Sequence, residues 1–354
     1  MYNLVFVVST LRMGLITMTN VPSFMNQAVL IRKLAVEMGY EVEFMNTSEA
    51  IQRPKQRYDK CIALVPLWAR YIYDASRILA VWFTRSGILY GPVDGPFKTN
   101  LALFGVAKQM RIVVPSEFCR RCLLKNELPV LDVVPHGINH SDFEGFDNAK
   151  YGRLKRLREE YPDKKILFSN LNPLHRKGFN HLVKALHILH QKIPDKYIFI
   201  LHTGKATALK YEPKLEKTPN LIIEDQFGKL PFRAIAEKTV ACDIYVHPSL
   251  NEGFGEPILE AAATKRTIVC LDAPAMNEIV SAKEAWLFPM SHIREEVWQN
   301  GAVAQLHEYN PVDLAEAMQH AIEDENESLE KAEKAYKKSL DYDYRKVYSK
   351  LIAY

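Results

Sequence analysis

The sequence predicts an α/β protein made of two doubly wound halves, each a parallel sheet wrapped by helices. Three observations carry that expectation. The chain has 354 residues, beyond the usual reach of one hydrophobic core. Short apolar runs alternate with longer stretches of helical period, the pattern of strand–helix units on parallel sheets. The same alternation starts over after "PHGINHSDF" (Pro135 to Phe143), a polar, turn-rich segment that reads as a crossing between domains.

In the first half the expected strands are "LVFVVS", "EVEFM", "CIALVPL", "LAVWF", "RIVVP" and "LDVVP". Between the first two lies the best helix, "PSFMNQAVLIRKLAVEMGY", whose apolar residues recur three and four apart and so form one face to bury. A basic helical stretch, "AKYGRLKRLREEY", follows the crossing. The second half then alternates strands "KILFS", "YIFILH", "LIIE", "DIYVHP", "TIVCL" and "AWLFP" with helices "FNHLVKALHILHQKI", "PFRAIAEKTVA", "PILEAAAT" and "PAMNEIVSA". From about Pro311 the chain is helical, and Val347, Leu351, Ile352 and the neighbouring tyrosines form an apolar stripe that needs a partner. The expected divisions are residues 1–137, 138–325 and a tail, 326–354.

Composition narrows the function. With 48% hydrophobic and 25% charged residues the chain is an ordinary globular protein. It has no apolar run near the 18 residues of a membrane span, and the reading is cytoplasmic. A net charge of +4 is too small for a dedicated nucleic-acid binder, so no nucleic-acid partner is expected. Two basic clusters, Gln52 to Lys60 and Cys119 to Lys125, leave two readings open: a solvated face, or peripheral contact with an anionic membrane surface. Five cysteines do not make a secreted disulfide framework. Cys119 and Cys122 form one C-x-x-C with no second pair, and read as helix cysteines rather than a redox or zinc site.

The stretch "HPSLNEGFGEPILEAAATKRTIVC" (His247 to Cys270) carries the chemistry. Pro257 suits a first helical turn, where its fixed φ and missing N–H cost nothing. That places Glu252 on the loop before a helix and Glu260 one turn inside it. Gly253 and Gly255 let the backbone approach a ligand closely. The N–H groups of Ile258 and Leu259 point into the same space, an anion site. An anion pocket between two carboxylates suits a diphosphate with hydroxyl-bearing groups on both sides, that is, a sugar nucleotide. Glu256 reads simply as an acidic residue at a helix start.

The order "DIYVHPSLNEGFGEPILEAAATKRTIV" resembles the Glu-x7-Glu signature of retaining glycosyltransferases of family 4, which have the GT-B fold: two Rossmann-like domains facing a cleft. "VVPHGINHSDF", "HRKGFNHLVKAL", "PAMNEIV" and the aromatic tail are similar to segments the family carries in the same order. The resemblance is strong from about Val134 to Phe288 and weak before Ile88. It implies transfer of a hexose from a nucleotide sugar to an acceptor the sequence does not identify, with retention. The motif residues offer cations and a helix N-terminus for the diphosphate and no well-placed carboxylate pair, so neither cofactor nor metal is expected. Glu252 would bind the donor sugar near its reacting carbon and Glu260 the ribose hydroxyls. Gly253, Phe254 and Gly255 would line the sugar pocket. Arg176 and Lys177 would grip the diphosphate, and the tail would pack back on the first domain.

This sequence also departs from the family. The usual phosphate-binding arginine falls near Leu171. Only Gly14, in "STLRMGLITMTN", stands where a glycine-rich loop would follow the first strand. No histidine precedes His136, so either Asp94 of "PVDGP" does the acceptor-side work or activity is altered. A sugar-nucleotide-binding protein without catalysis and a nucleotide-sugar epimerase are therefore the alternatives. A dinucleotide-dependent oxidoreductase is disfavoured, since no G-x-G-x-x-G follows a first strand. "DYD" (Asp341 to Asp343) matches the metal-binding pair of another glycosyltransferase fold, but in a helical tail it reads as a helix junction.

Overall fold

The computed structural model describes residues 11–19, 21–52, 58–68, 72, 74–76, 78–79, 87–97, 107–145, 158–298 and 303–354. Its first sheet holds β1 (Leu11–Thr17), β2 (Tyr40–Asn46), β3 (Lys60–Leu64), β4 (Gly87–Tyr90), β5 (Arg111–Val114) and β6 (Asp132–Val133) in the order β2-β1-β3-β4-β5-β6. The second holds β7 (Lys165–Asn170), β8 (Tyr197–Thr203), β9 (Leu221–Asp225), β10 (Ile244–His247), β11 (Thr267–Asp272) and β12 (Trp286–Pro289) in the order β12-β11-β10-β7-β8-β9. Both sheets are parallel. Parallel strands covered on both faces read as continuous apolar runs, and every residue of β8 is buried.

Each sheet reverses its strand order once. The reversal lies between β1 and β3 in the first sheet and between β10 and β7 in the second. In open α/β sheets the crevice outside the strand carboxyl ends at such a reversal is where ligands bind. Here the two crevices face each other. Loops after β1, β3, β7 and β10 all line one cavity of about 470 Å³.

Helices follow from their sequence. α1 (Pro22–Glu37) starts on a proline and buries Ala28, Ile31 and Ala35 at helical spacing. α2 (Glu117–Leu124) is capped by Ser116, whose hydroxyl accepts from the Cys119 N–H at 3.1 Å. In the second domain α3 (Phe179–Lys192), α4 (Lys205–Tyr211), α5 (Phe232–Ala241), α6 (Glu256–Ala263) and α7 (Met276–Ile279) alternate with strands. α8 (Pro311–Glu323), α9 (Glu325–Ser339) and α10 (Tyr344–Ala353) complete the chain.

The expected boundary at 326 moves. α9 packs on α6 and β11 of the second domain, and Ala335 belongs to that core. Its buried face is Ser328, Ala332, Ala335 and Ser339, small residues that fit closely against a helix layer. The large stripe begins only at Tyr344. α10 alone enters the first domain, where Tyr344, Val347, Tyr348, Leu351 and Ile352 share a core with Met13, Leu15 and Ile31.

Other readings of the first half also change. "LVFVVS" lies outside the described residues, as does most of "AKYGRLKRLREEY". Gly14, expected in a loop, is inside β1 and pairs with both Glu43 and Cys61. A Cβ there would come within 3.1 Å of the Cys61 sulfur and 3.3 Å of the Tyr58 ring. Close packing of a central strand, away from the cleft, accounts for this glycine. In "LAVWF" Leu79 is helical and buried against Gly87, and the strand falls at β4; Ala80 to Phe83 lie outside the described residues.

The basic clusters divide. Lys60 is buried, its ammonium donating to the Ile352 carbonyl, while Arg120, Arg121 and Lys125 are exposed on and beside α2. Cys119 and Cys122 are both buried; burial pushes the Cys122 thiol up to about 12 and Cys119 higher. Among the described residues no helix is long and apolar enough to cross a membrane.

One element was not legible at all. The antiparallel hairpin β13 (His292–Val297) and β14 (Val303–Glu308) reaches over to the first domain. The Val303 N–H donates to the Pro96 carbonyl at 2.9 Å and the Gln305 N–H to the Asp94 carbonyl at 3.1 Å. On the other side the Glu278 carboxylate accepts from the N–H groups of Glu117 and Phe118 at 2.7 and 2.8 Å, capping α2 from the opposite domain.

Candidate functional site

The turn after β7 places the cations. A single 3-10 turn, His175–Lys177, tucks Arg176 and Lys177 into the cleft. The Lys177 ammonium donates to the Glu252 carboxylate. Arg176 lies 3.6 Å from the same carboxylate and 3.8 Å from that of Asp94, and donates to the Asn251 carbonyl at 2.7 Å. Leu171, near which the arginine of the resembled family would fall, is buried.

Glu252 is fixed from several sides. His247, at the end of β10, places its Nε2 2.9 Å from Glu252, and its Nδ1 is buried without a partner. The proton of the neutral ring therefore sits on Nε2, where it can be donated. Burial alone would push the Glu252 carboxyl up; the Lys177 charge, the His247 bond and Arg176 outweigh it and hold it well below the usual range. Burial and the Arg176 charge, partly opposed by Glu252, pull the Lys177 ammonium below its ordinary value. The shift of Glu252 favours its ionised form, a hydrogen-bond acceptor in the cleft.

The two glycines between Glu252 and α6 have different causes. Gly255 has φ +107°, a left-handed conformation that favours glycine. Gly253 does not: a Cβ there would fall 2.5 Å from Pro92 and 3.1 Å from the Val93 carbonyl. Its own carbonyl accepts from the Ser116 hydroxyl at 2.7 Å and the Cys119 thiol at 3.0 Å. Gly253 lines the cavity, but close approach of the first domain is what requires it. Phe254 also lines the cavity, edge-on to His136 with centroids 5.1 Å apart.

α6 then brings Glu260 into the cavity, while the side chains of Ile258 and Leu259 are buried. The Ile258 N–H, expected to be free for an anion, already donates to the Gly255 carbonyl at 2.9 Å. Burial pushes Glu260 up to about 7, although one edge stays open to the cleft. On the facing wall Asp94 is buried, takes a hydrogen bond from the Trp68 indole, and is shifted up by burial against the pull of Arg176.

Sequence reasoning missed three residues here. His247 stood in the quoted stretch, five positions before Glu252, and its place at a strand end beside the loop was the available signal. His136 read as part of a turn; nothing local shows that the crossing runs beneath the cleft. Its ring is pushed down to about 3 by burial, and lies 3.7 Å from Glu256. Glu256 stands in the first turn of α6, as its sequence suggested, and is raised well above its usual value by burial and by Glu260. Trp68, on the loop after β3, could have been found from the strand-reversal rule alone. Asp343 caps α10 through the Arg345 N–H at 2.9 Å, and Asp341 pairs with Lys346 at 2.5 Å, so "DYD" is a helix junction. Among the described residues no group of three His, Cys, Asp or Glu could hold a metal.

The family model described as Glycosyl transferases group 1 matches residues 163–324, a stretch that contains the cation turn and both carboxylates. The chain is a glycosyltransferase. Uncharacterized glycosyltransferase 335 of Sulfolobus islandicus rod-shaped virus 1 is 24% identical to it over 281 residues, 76% of this chain and 80% of that one. In fold the glycosyltransferase is similar to Anabaena HepE, solved in complex with UDP and glucose, with TM-score 0.72 and 13% identity over 97% of this chain and 98% of that chain. It is equally similar to sucrose-phosphate synthase from Thermosynechococcus elongatus, with TM-score 0.72, 14% identity and the same 97% and 98% coverage. The glycosyltransferase thus has the GT-B fold.

Proposed function

We propose that this glycosyltransferase moves a hexose from a nucleoside diphosphate sugar to an acceptor, with retention at the anomeric carbon and without a divalent metal. The observation that carries the reading is the fixed carboxylate of Glu252, held in the cleft by Lys177, Arg176 and His247. An ionised carboxylate accepts from donor-sugar hydroxyls, while Glu260 one turn into α6 accepts from the ribose.

The leaving nucleoside diphosphate gains negative charge as the glycosidic bond breaks, so cations beside it help the transition state more than the ground state. Arg176 offers a planar fork and Lys177 a compact charge. The α6 N-terminus adds only about 0.3–1 kcal/mol. Side-chain cations therefore carry the stabilisation that a metal supplies elsewhere. HepE was solved with UDP, and with UDP and glucose, which makes UDP-glucose the first donor to try.

A panel of nucleoside diphosphate sugars tests the reading by thermal shift, because a ligand that binds the native state stabilises it by mass action. Product NMR then reads the anomeric configuration. An inverted product removes retention, and an epimerised donor formed without acceptor makes the protein an epimerase. Complete loss of activity in excess chelator, restored by magnesium or manganese, overturns metal independence.

A further inference from the structure

The two walls of the cleft differ in charge. Arg176 and Lys177 stand on the second-domain wall, whereas the first-domain wall has no lysine or arginine among the described residues that line the cavity. It is built from Met18, Val21, Pro22, Ser23, Phe24 and Asn26 after β1, and from Pro66 and Trp68 after β3. His136, on the same wall, is neutral because burial lowers it. The described residues of this wall offer an acceptor phosphate no lysine or arginine, so a charged acceptor would depend on the cations across the cleft, and desolvating an unpaired phosphate is costly.

The described polar side chains of that wall are Ser23, Asn26, His136 and Asp94, and Asp94 alone among them is a carboxyl. Asp94 sits beside Trp68, whose indole N–H donates to its carboxyl. Trp68 is held edge-on by Trp298, with centroids 5.5 Å apart and planes at 77°, so the ring is fixed while part of it faces the cavity. Asp94 in turn stands 3.8 Å from Arg176 and close to Glu252, at the point where the two substrates must meet. A flat apolar ring next to a hydroxyl-accepting carboxyl matches a pyranose, which has an apolar C–H face and a hydroxyl edge.

From this juxtaposition we infer that the acceptor is an uncharged sugar, seated face-on against Trp68 with its reacting hydroxyl accepted by Asp94. The inference rests on the transfer reading above. In the step it describes, the donor C1–O bond to the diphosphate breaks and a C1–O bond to the acceptor oxygen forms. The acceptor's hydroxyl proton passes to the departing diphosphate. Asp94 orients that hydroxyl and need not keep the proton.

The test runs the full chain with UDP-glucose against three acceptor sets: methyl glycosides of glucose, galactose and mannose; the matching sugar 6-phosphates; and vesicles carrying an isoprenoid phosphate. Donor binding is followed separately by the thermal shift that UDP produces. Expected are transfer to a neutral glycoside and none to the phosphates. Trp68→Ala should raise the acceptor KM about tenfold, with donor KM within about twofold, and Trp68→Phe should recover most of the loss. Transfer only to 6-phosphates or to the isoprenoid phosphate overturns the inference, as does an acceptor KM unmoved in both variants. No transfer to any neutral sugar while UDP still stabilises the protein also overturns it and leaves the donor reading intact. If no nucleotide stabilises the protein, the transfer reading itself falls.

Discussion

The two sheets present matching reversals to the cleft, one between β1 and β3 and one between β10 and β7, yet the loops that leave them share almost no chemistry. The second-domain loops carry Arg176, Lys177 and Glu252, with both cations against the Glu252 carboxylate and Lys177 and Glu252 buried. The first-domain loops carry Pro66, Trp68 and the start of α1, with Asp94 nearby as their charged contribution. The same architectural device thus makes an electrostatic wall on one side and an apolar one on the other. A bound diphosphate fixes what the first kind of wall must contain. The second is free to follow the acceptor.

The comparison is most severely tested by asking whether the first domain exists without α10. Five buried side chains of α10 complete its core, at roughly 1.5–3 kcal/mol each, against a total stability of about 5–15 kcal/mol for a typical native protein. Deleting Tyr344 to Tyr354 should abolish cooperative folding of the first sheet, seen as loss of its amide protection in hydrogen exchange. An unchanged melting temperature and protection pattern would show that the apolar wall is held otherwise.

Next in size is the electrostatic wall. Glu252→Gln should lower turnover by about 10²–10³, the scale of losing one preorganised group. Arg176→Ala and Lys177→Ala should each lower turnover more than donor affinity, and together fall short of additive because they share one ligand and one carboxylate. Near-normal kinetics for Glu252→Gln would remove it from the reaction. A silent Arg176→Ala would show that Lys177 alone supplies the cation of this wall.

The smallest effect is one of pH. Glu260 is pushed up to about 7 from an ordinary 4.5, so its protonated form is favoured in the folded state and its contribution is lost as pH rises through about 7. Glu260→Gln stays neutral throughout. Its melting temperature relative to the wild-type protein should therefore climb from about pH 5 to about pH 8. A flat difference, or one of opposite sign, would place Glu260 in water rather than in the cleft wall.

These differences also explain what could be read from sequence. Charges fixed between apolar runs stand out, so Glu252, Glu260, Arg176 and Lys177 were legible, and so was the alternation of the second domain. Gly253 was legible as a glycine but not in its cause, since a missing side chain does not say what presses on it; Pro92 and Val93 do, from 160 residues away in the chain. Gly14 failed for the same reason. The hairpin escaped because "HIREEV" is charged and largely exposed, the pattern of a loop. On the first-domain wall, Trp68 carries no motif, and only the topology of the folded sheet points to it.

The placement of α10 has a consequence for how the protein is made. A ribosome delivers the strands of the first sheet before those of the second, but Met13, Leu15 and Ile31 wait for Tyr344, Tyr348 and Ile352 to cover them. The second domain, whose core closes by about Ala335, is complete earlier. Synthesis order and folding order should therefore be inverted, with the domain that emerges first finished last. In the interval its unfinished face is open to aggregation and to chaperones. Limited proteolysis of stalled nascent chains would read that order directly, with the second domain protected before residues 344–354 leave the exit tunnel and the first domain only afterwards.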